Sequence, residues 1–569
     1  MSTSPSRWMK IGDFLLRRLE EAGVGHLFGV PGDFNLELLQ QLEDNSTLQW
    51  VGTCSELNAS YAADGYARLK GFGALTVTNA VGALGAIPGI AGSYAEHVPV
   101  VCIAGSIPLR SIERGLGMHH TMADGTWDRF LGAYSQVTVA QARLTPHNAA
   151  TEIDRLILTA WREKLPVYME LPSDIAYLDI EVPDAPLILA QPASDPERLR
   201  TCAAAIAARL SAATSPALLV DEDVDRYGVA GEVVELAEKM QIPVAVISSA
   251  KAVIDETFPY YAGIYNGKAS LPATIKAIED SDCLLSVAYR PVEVTTGDFT
   301  AQLPASTIHL RGHAVDIGED NYQAVTLKEV FRAVIDAVPR VTSRGVPQVT
   351  APAAGTVAGG SAPLTQAAYW PAIQQYLRPG DVLLLDNGTS YALFGLHLPP
   401  DCTVLASVIW GSIGYSVGAL LGTLTAAPDR RHLLLVGDGS FQETAQELST
   451  MLRHDHKPVI LLINNGGYTI ERGYMGKTET YNDIARWAYA DLPRVLRPDT
   501  AARSFHVQTT ADLEKALSAP NDTMIFIESV MDPDDAPAAV IHSSNTGAEL
   551  DYGPRGPQHR DGAQLRPAS

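Results

Sequence analysis

Cysteine is scarce in this chain and follows no pattern. Five residues (Cys54, Cys102, Cys202, Cys283 and Cys402) are scattered over 569, odd in number and mostly flanked by apolar neighbours. No zinc-ligand or redox spacing occurs among them. A disulfide scaffold and a thiolate metal site are excluded, and a reduced, cytoplasmic protein is expected. Basic residues are in deficit too: Lys and Arg total 42 against 65 Asp and Glu, a net charge of −23. That balance argues against nucleic acid or an anionic membrane as partner. Long apolar runs are missing. The start, MSTSPSRWMKIGDFLLRRLEE, holds only an amphipathic helix from Ile11, so neither a signal peptide nor a membrane span is expected. No GxGxxG follows a strand in the middle of the chain, which gives no basis for a bound dinucleotide there.

What is present is apolar residue content of 46%, enough for sizeable cores, in a length that suits three to four domains. Strands and helices alternate in three α/β blocks. The first runs over 1–185, with strands at Ala74–Asn79, Val100–Gly105 and Val167–Leu171. The second, 195–340, has strands near Ala217–Val220, Val244–Ser248, Leu284–Val287 and Thr307–Leu310. A Pro-, Gly- and Ala-rich stretch, 341–363, reads as a mobile linker. The third block spans 364–543, and the polar tail 544–569 reads as disordered. The alternation predicts three doubly wound, parallel-sheet domains, the middle one a spacer that completes an oligomer.

One stretch carries chemistry. Val436–Tyr468, VGDGSFQETAQELSTMLRHDHKPVILLINNGGY, reads as strand, Gly-Asp-Gly turn, helix, strand and Asn-Asn-Gly-Gly. The strands are His432–Val436 and Val459–Ile463, and the helix is Ser440–Arg453 with Ser440 as N-cap. Such a unit returns its strands parallel, with their C-terminal ends on one sheet edge. Asp438 and Asn465 are therefore expected to be neighbours where open α/β sheets bind ligands. A carboxylate, an amide oxygen and the bare Gly467 carbonyl are hard oxygen donors of single negative charge. They suit a Mg²⁺ ion that keeps places for phosphate oxygens. Glycine amides and the helix start offer further donors to phosphate.

GDG, 24 intervening residues and NN resemble the thiamine diphosphate signature. From about Ile11 to Pro537 the chain resembles the pyruvate/indolepyruvate/phenylpyruvate group of thiamine diphosphate-dependent 2-oxo acid decarboxylases. The markers are FGVPGDFNLELL (Phe28–Leu39), SELNASYAADGYAR (Ser55–Arg68), GIAGSYAEHVPV (Gly89–Val100), HHT (His119–Thr121), DNGTS (Asp386–Ser390), IWGSIGY (Ile409–Tyr415) and GGYTIE (Gly466–Glu471). The resemblance implies pyrimidine-binding, central and pyrophosphate-binding domains, with the cofactor between subunits. A homodimer is then the minimal active unit, with a homotetramer expected. The implied reaction is non-oxidative decarboxylation of a 2-oxo acid to an aldehyde and CO₂ through a cofactor enamine. A small-molecule substrate of indolepyruvate, phenylpyruvate, branched-chain or pyruvate type follows, the larger side chains slightly favoured.

The resemblance also distributes roles. Glu56, opening a helix after strand Gln49–Gly52, matches the glutamate that hydrogen-bonds a ring nitrogen of the aminopyrimidine. Ile413 matches the apolar wedge that folds the cofactor into a V, a positioning effect. Cofactor contacts are implied at Asn387, Gly388, Thr389, Gly411, Ser412, Gly437, Gly439, Ser440, Tyr468, Thr469 and Ile470, and metal ligation at Asp438, Asn465 and Gly467. Asp33, His119, His120 and Glu471 form the implied proton-handling set. The histidines are adjacent in sequence, so no helical or strand ligand spacing applies and no zinc site is expected. Crowding Asp33, Glu471 and a substrate carboxylate is expected to raise at least one carboxyl pKa.

Several positions depart from the family pattern. AVGALG at Ala80–Gly85 stands where GVGELS is usual, placing alanines at 80 and 83. Gly473 and Tyr474 replace an aliphatic pocket residue, Asn387 stands for glutamine, and Tyr391 follows GTS. The segment DDAPAAVIHSSNTG is poor in long apolar residues for a lid helix. These changes point to a reshaped pocket. They keep two alternatives open: a carboligase that captures the same enamine with a second carbonyl compound, and a non-catalytic regulatory or structural relative.

Overall fold

The computed structural model describes residues 6–342, 344, 360–391, 393–537, 552, 556 and 566–567. Most of the expected linker 341–363 and of the expected tail 544–569 lies outside these residues. By internal contacts the chain divides into two compact units. One comprises Met1–Gln191, Gly414–Asp429 and Thr444–His456; the other comprises Pro192–Ile413, Arg430–Glu443 and Lys457–Ser569. Two helical pieces of the third sequence block thus belong with the first.

The first unit is built on a six-stranded, all-parallel sheet in the order Gln49–Gly52, His26–Gly29, Gly73–Thr78, Val100–Ser106, Val167–Pro172 and Ala140–Arg143. Its central strands, GALTVT and VVCIAGS, are buried at every position. That explains their near-continuous apolar character: both faces of the sheet are covered. The predicted amphipathic helix forms at Ile11–Glu21, burying Ile11, Phe14, Leu15 and Leu19. Ahead of it, Ser6–Lys10 pairs antiparallel with Asp179–Pro183.

Helix Glu56–Lys70 starts from Ser55, whose hydroxyl accepts from the Asn58 amide, and stops at Gly71, whose φ of 84° ends it in the left-handed conformation. Its small residues let helix Tyr415–Ala426 approach almost to backbone contact. A methyl group at Gly65 would lie 2.4 Å from the Ala419 carbonyl oxygen, and one at Gly422 1.9 Å from that of Ala62. The Tyr415 hydroxyl donates to Asp64 at 2.6 Å, and Asp64 pairs with Arg68 at 2.7 Å. This packing fixes the helix whose first residue is Glu56.

In the second unit, a seven-stranded sheet runs Tyr261–Ile264, Val244–Val246, Pro216–Val220, Cys283–Val287, Ile308–Arg311, Ala314–Ile317 and Asp320–Gln323. The first five strands are parallel, but the last two are antiparallel. The sheet is thus mostly parallel, as expected, with an antiparallel extension at one edge. Only two residues, Gly312-His313 and Gly318-Glu319, join these strands, and so short a link cannot make a parallel crossover. The other sheet has six parallel strands ordered Thr403–Ala406, Val382–Leu385, His432–Gly437, Val459–Asn464, Ile525–Val530 and Arg503–Val507. Both six-stranded sheets carry the residues singled out by sequence at the C-terminal ends of neighbouring strands.

Candidate active site

In the second unit, strands His432–Gly437 and Val459–Asn464 pair with Gly437 opposite Ile463, which brings Asp438 beside the Asn465–Gly467 turn. Asp438 is 1% exposed. One carboxylate oxygen accepts from the Gly439 amide at 2.8 Å, the other from the amides of Gly466 and Gly467 at 2.7 and 3.2 Å. Burial nevertheless pushes its pKa up to about 6, against the lowering effect of those amides and of Arg472. Asn465, 4% exposed, turns its amide nitrogen toward Thr389 Oγ1 at 3.4 Å, and its Oδ1 has no hydrogen-bond partner among the described residues. A buried carboxylate beside an orphaned amide oxygen is costly alone and fits a small hard cation.

The helix after Asp438 differs from the sequence reading. It begins at Asp438, breaks into a 3₁₀ turn at Ala445–Glu447 and resumes over Leu448–Arg453. Ser440 is therefore not its N-cap. Its hydroxyl donates instead to the Asn387 carbonyl at 3.2 Å, tying this turn to the loop after strand Val382–Leu385. Asn387 donates in turn to Ser407 O at 3.1 Å, and Ser412 N donates to Ser407 Oγ at 3.3 Å. Gly388 and Gly411 take φ of 119° and 67°, values that favour glycine. Ile413 is 36% exposed, so its side chain is presented outward and is not a core residue.

Tyr468 packs over Gly439, where a methyl group would lie 2.5 Å from the ring. Thr469 donates to Pro533 O at 2.9 Å and starts helix Thr469–Met475, which carries Ile470, Glu471, Gly473 and Tyr474. Glu471 keeps an open face to solvent, yet the protein packed around the rest of it desolvates the carboxyl and raises its pKa. The crowding expected among Asp33, Glu471 and a substrate carboxylate requires bound substrate; without it, burial already raises the Glu471 pKa. Buried Arg472 donates to Gly466 O at 3.1 Å and to Asp483 at 3.1 Å, clamping the Asn465–Gly467 turn.

In the first unit, Asp33 follows strand His26–Gly29 and the histidine pair follows strand Val100–Ser106. His119 Nε2 lies 2.7 Å from Asp33 Oδ2, and His120 Nε2 3.8 Å from Oδ1. Phe34 stacks on His119 with ring centroids 5.1 Å apart and meets His120 edge-on at 6.0 Å. His120 has a φ of 54°, and Asn79 donates to its carbonyl at 2.8 Å.

Glu56 lies half-buried at the start of its helix, over the first turn of helix Val81–Ala95. Methyl groups at Gly82 and Gly85 would lie 3.3 Å from its Oε1 and 3.2 Å from its Oε2. The divergent segment Ala80–Gly85 is thus the bed on which this carboxylate rests. Ala80 holds the unusual pair φ 49°, ψ −83°. Beneath it, the fully buried Tyr134 hydroxyl donates to Ala83 O at 2.6 Å, and the Tyr134 ring stacks on Tyr168.

The structure therefore gathers Asp33, His119 and His120 in one cluster and Asp438, Asn465 and Gly467 in another. Sequence reasoning missed Asn79 and Arg472, which hold these clusters through backbone carbonyls, and Tyr134, which holds the segment under Glu56 in the same way. Only the placement of Asn79 at a strand's C-terminal end could have signalled a role.

Comparison with known proteins agrees along the chain. Residues 9–128 match the thiamine pyrophosphate enzyme N-terminal TPP binding domain, 203–338 the central domain and 386–528 the C-terminal TPP binding domain. A pyruvate decarboxylase of Aspergillus fumigatus is 37% identical over 553 residues, covering 95% of this chain and 97% of that protein. An alpha-keto-acid decarboxylase of Mycolicibacterium paratuberculosis is 38% identical over 531 residues, covering 92% of this chain and 93% of that one. Another from Mycobacterium tuberculosis is 38% identical over 537 residues, covering 92% and 94%. Three matched domains in order, and similarity to these proteins from end to end, place the chain among the thiamine pyrophosphate enzymes and, within them, among the 2-oxo acid decarboxylases.

Proposed function

We propose that this protein converts a 2-oxo acid to an aldehyde and CO₂ without oxidation, using thiamine diphosphate held through Mg²⁺. The observation that carries the reading is the buried Asp438 carboxylate beside the partnerless Asn465 Oδ1. With the Gly467 carbonyl they form an all-oxygen donor set that suits Mg²⁺ and leaves places for diphosphate oxygens. When bound, the cofactor supplies an electron sink for the bond pair released with CO₂.

The chain's own residues do the rest. Ser440, Gly437, Gly439, Asn387, Gly388, Thr389, Gly411 and Ser412 line the turns that receive the diphosphate end, and Tyr468, Thr469 and Ile470 extend that wall. Ile413 presents the apolar wedge. Glu56 would hold a hydrogen bond to the pyrimidine ring nitrogen, its carboxylate lying against Gly82 and Gly85, where added methyl groups would crowd it. Asp33, His119 and His120 exchange protons with the substrate-derived oxygen, and Glu471, whose carboxyl pKa is raised by burial, is the fourth proton-handling group.

A homodimer as the minimal active unit, assembled further into a homotetramer, belongs to this reading. Its support is the apolar surface beside the site residues: Val81 and Leu84 on the helix under Glu56, and Trp410 and Ile413 in the other unit, are all exposed. A cytoplasmic location belongs to it as well, supported by five cysteines that remain free. No helix among the described residues is long and apolar enough to cross a membrane.

The test is aldehyde release, coupled to an alcohol dehydrogenase, with Mg²⁺, thiamine diphosphate and pyruvate, a branched 2-oxo acid, phenylpyruvate or indolepyruvate. Cofactor-dependent aldehyde that disappears in Glu56→Gln supports the reading, and the ranking of substrates defines the pocket. CO₂ without matching aldehyde would replace it with carboligation.

A further inference from the structure

We propose that Asp33, His119 and His120 also form a binding site for a transition-metal ion of the Zn²⁺ class, separate from the Mg²⁺ site at Asp438. Adjacent histidines seldom share a metal, because neighbouring side chains of an extended segment point apart. Here the backbone removes that obstacle. The left-handed φ of His120, 54°, turns the chain so that the two imidazoles lie with centroids 4.6 Å apart, both Nε2 atoms toward Asp33. One potential ligand atom from each of the three residues lies within 4.8 Å of the others.

The spacing is close to that of a coordination sphere. Ligands about 2.0–2.2 Å from one tetrahedral Zn²⁺ ion lie roughly 3.3–3.6 Å from each other. His119 Nε2 and Asp33 Oδ2, hydrogen-bonded at 2.7 Å, must open by about 0.6–0.9 Å as the ion replaces the shared proton. His120 Nε2, 3.8 Å from Oδ1, must close by under about 1 Å. The loop is also braced before any ion arrives. Phe34 stacks on His119, Asn79 holds the His120 carbonyl, and Thr121 donates to Met118 O at 2.7 Å.

Ligand chemistry separates this site from the one at Asp438. Two imidazole nitrogens and one carboxylate oxygen are the donors of open transition-metal sites, whereas all-oxygen sets suit Mg²⁺. His119 is 59% exposed and Asp33 47%, so an ion from solution can reach them and keep water or a carboxylate in its remaining positions. An ion bound there takes the nitrogen lone pairs that the proposed function uses for protons. Its inhibitory effect rests on that reading; its binding does not.

The experiment uses the full chain loaded with Mg²⁺ and thiamine diphosphate, dialysed against micromolar Zn²⁺, with both metals counted by atomic spectrometry. The expected result is one Zn²⁺ gained per chain with Mg²⁺ retained. Asp33→Asn, His119→Gln and His120→Gln should each weaken Zn²⁺ binding at least about tenfold. Mg²⁺ content and circular dichroism report whether each variant is folded. Co²⁺ in place of Zn²⁺ should give a visible spectrum that the histidine variants lose. Absence of Zn²⁺ uptake, Zn²⁺ gained only as Mg²⁺ is lost, or uptake unchanged in His119→Gln/His120→Gln would each overturn the site. Zn²⁺ bound as expected with aldehyde release undiminished would support the site and overturn the proton-handling role instead.

Discussion

Asn79 donates its side-chain amide to the carbonyl of His120 across 2.8 Å, so the residue that precedes the bed of Glu56 also pins the turn that orients the histidine pair. His120 occupies a backbone region that disfavours a side chain, and such a conformation persists only where its surroundings hold it. Asn79→Ala should let the turn relax, moving both imidazoles relative to Asp33. A misplacement of about 1 Å can cost on the order of a hundredfold in rate, whereas the lost hydrogen bond costs stability only about 1–2 kcal/mol. Aldehyde release and urea unfolding measured on one preparation separate the two. Equal rates in variant and parent would show that the turn does not depend on this bond.

Ala80 sits at φ 49°, ψ −83°, close to a strained γ-turn conformation and at a positive φ that favours glycine. Ala80→Gly relieves a strain of about 1–3 kcal/mol and gives back roughly 0.5–1 kcal/mol in unfolded-chain entropy. A net stabilisation of about 1 kcal/mol is expected, read as a higher urea midpoint with an unchanged slope. A lower midpoint would mean that the neighbouring helix start tolerates alanine without strain.

Much of this architecture is legible in the sequence because its signals are local. Continuous apolar runs bounded by glycine mark strands His432–Gly437 and Val459–Asn464, and strand–helix–strand topology then forces Asp438 beside Asn465. What escapes depends on contacts made across the chain. The docking of helix Tyr415–Ala426 on helix Glu56–Lys70 uses glycine and alanine, which leave no amphipathic stripe to read. The break after Thr444 follows no proline, and Arg472 and Tyr134 act on backbone carbonyls whose positions only the fold defines. The histidine pair carries no metal-ligand spacing because Asp33 completes the cluster from another strand.

The Asp438 carboxyl, raised by burial from 3.8 to about 6, links stability to pH in cofactor-free protein. A carboxyl with a raised folded-state pKa takes up a proton on folding between the two values. Its neutral form therefore costs the fold little below about pH 4, and the penalty grows as pH rises through about 6, reaching on the order of 3 kcal/mol. Buried Glu447, also raised, acts in the same direction, so the comparison must be with Asp438→Asn. Cofactor-free protein should gain stability from pH 7 to pH 5, and Asp438→Asn should lose most of that dependence. Mg²⁺ with thiamine diphosphate should flatten it in the parent only. Parallel curves for parent and variant would place the burden on other carboxyls.

Glu471 is desolvated by the protein packed around it, and that burial raises its pKa. If its proton is the one delivered, activity should fall as pH rises through that raised value, since the protonated form is then lost. Glu471→Gln cannot give up a proton and should lower kcat by about 10²–10⁴ while retaining cofactor binding. The basic limb due to this group should vanish from its residual pH profile. A variant that keeps the parent's rate and profile would move the proton to another donor.

Gly82 offers the sharpest separation of catalysis from stability. A methyl group there would stand 3.3 Å from Glu56 Oε1, 3.1 Å from Thr78 Cγ2 and 3.3 Å from Val77 Cβ. None of these contacts is prohibitive, and each is relieved by a shift of a few tenths of an ångström. Alanine is favoured over glycine within a helix by about 1 kcal/mol, which offsets the crowding. Gly82→Ala should therefore unfold close to the parent's denaturant midpoint. The Glu56 carboxylate, being the flexible partner, must give way, which would lengthen the hydrogen bond proposed for it to the pyrimidine nitrogen. Aldehyde release should drop severalfold or more while the folded protein is indistinguishable by circular dichroism. If stability falls and the rate per folded molecule does not, the glycine serves packing against Thr78 and Val77, and the height of Glu56 is set elsewhere.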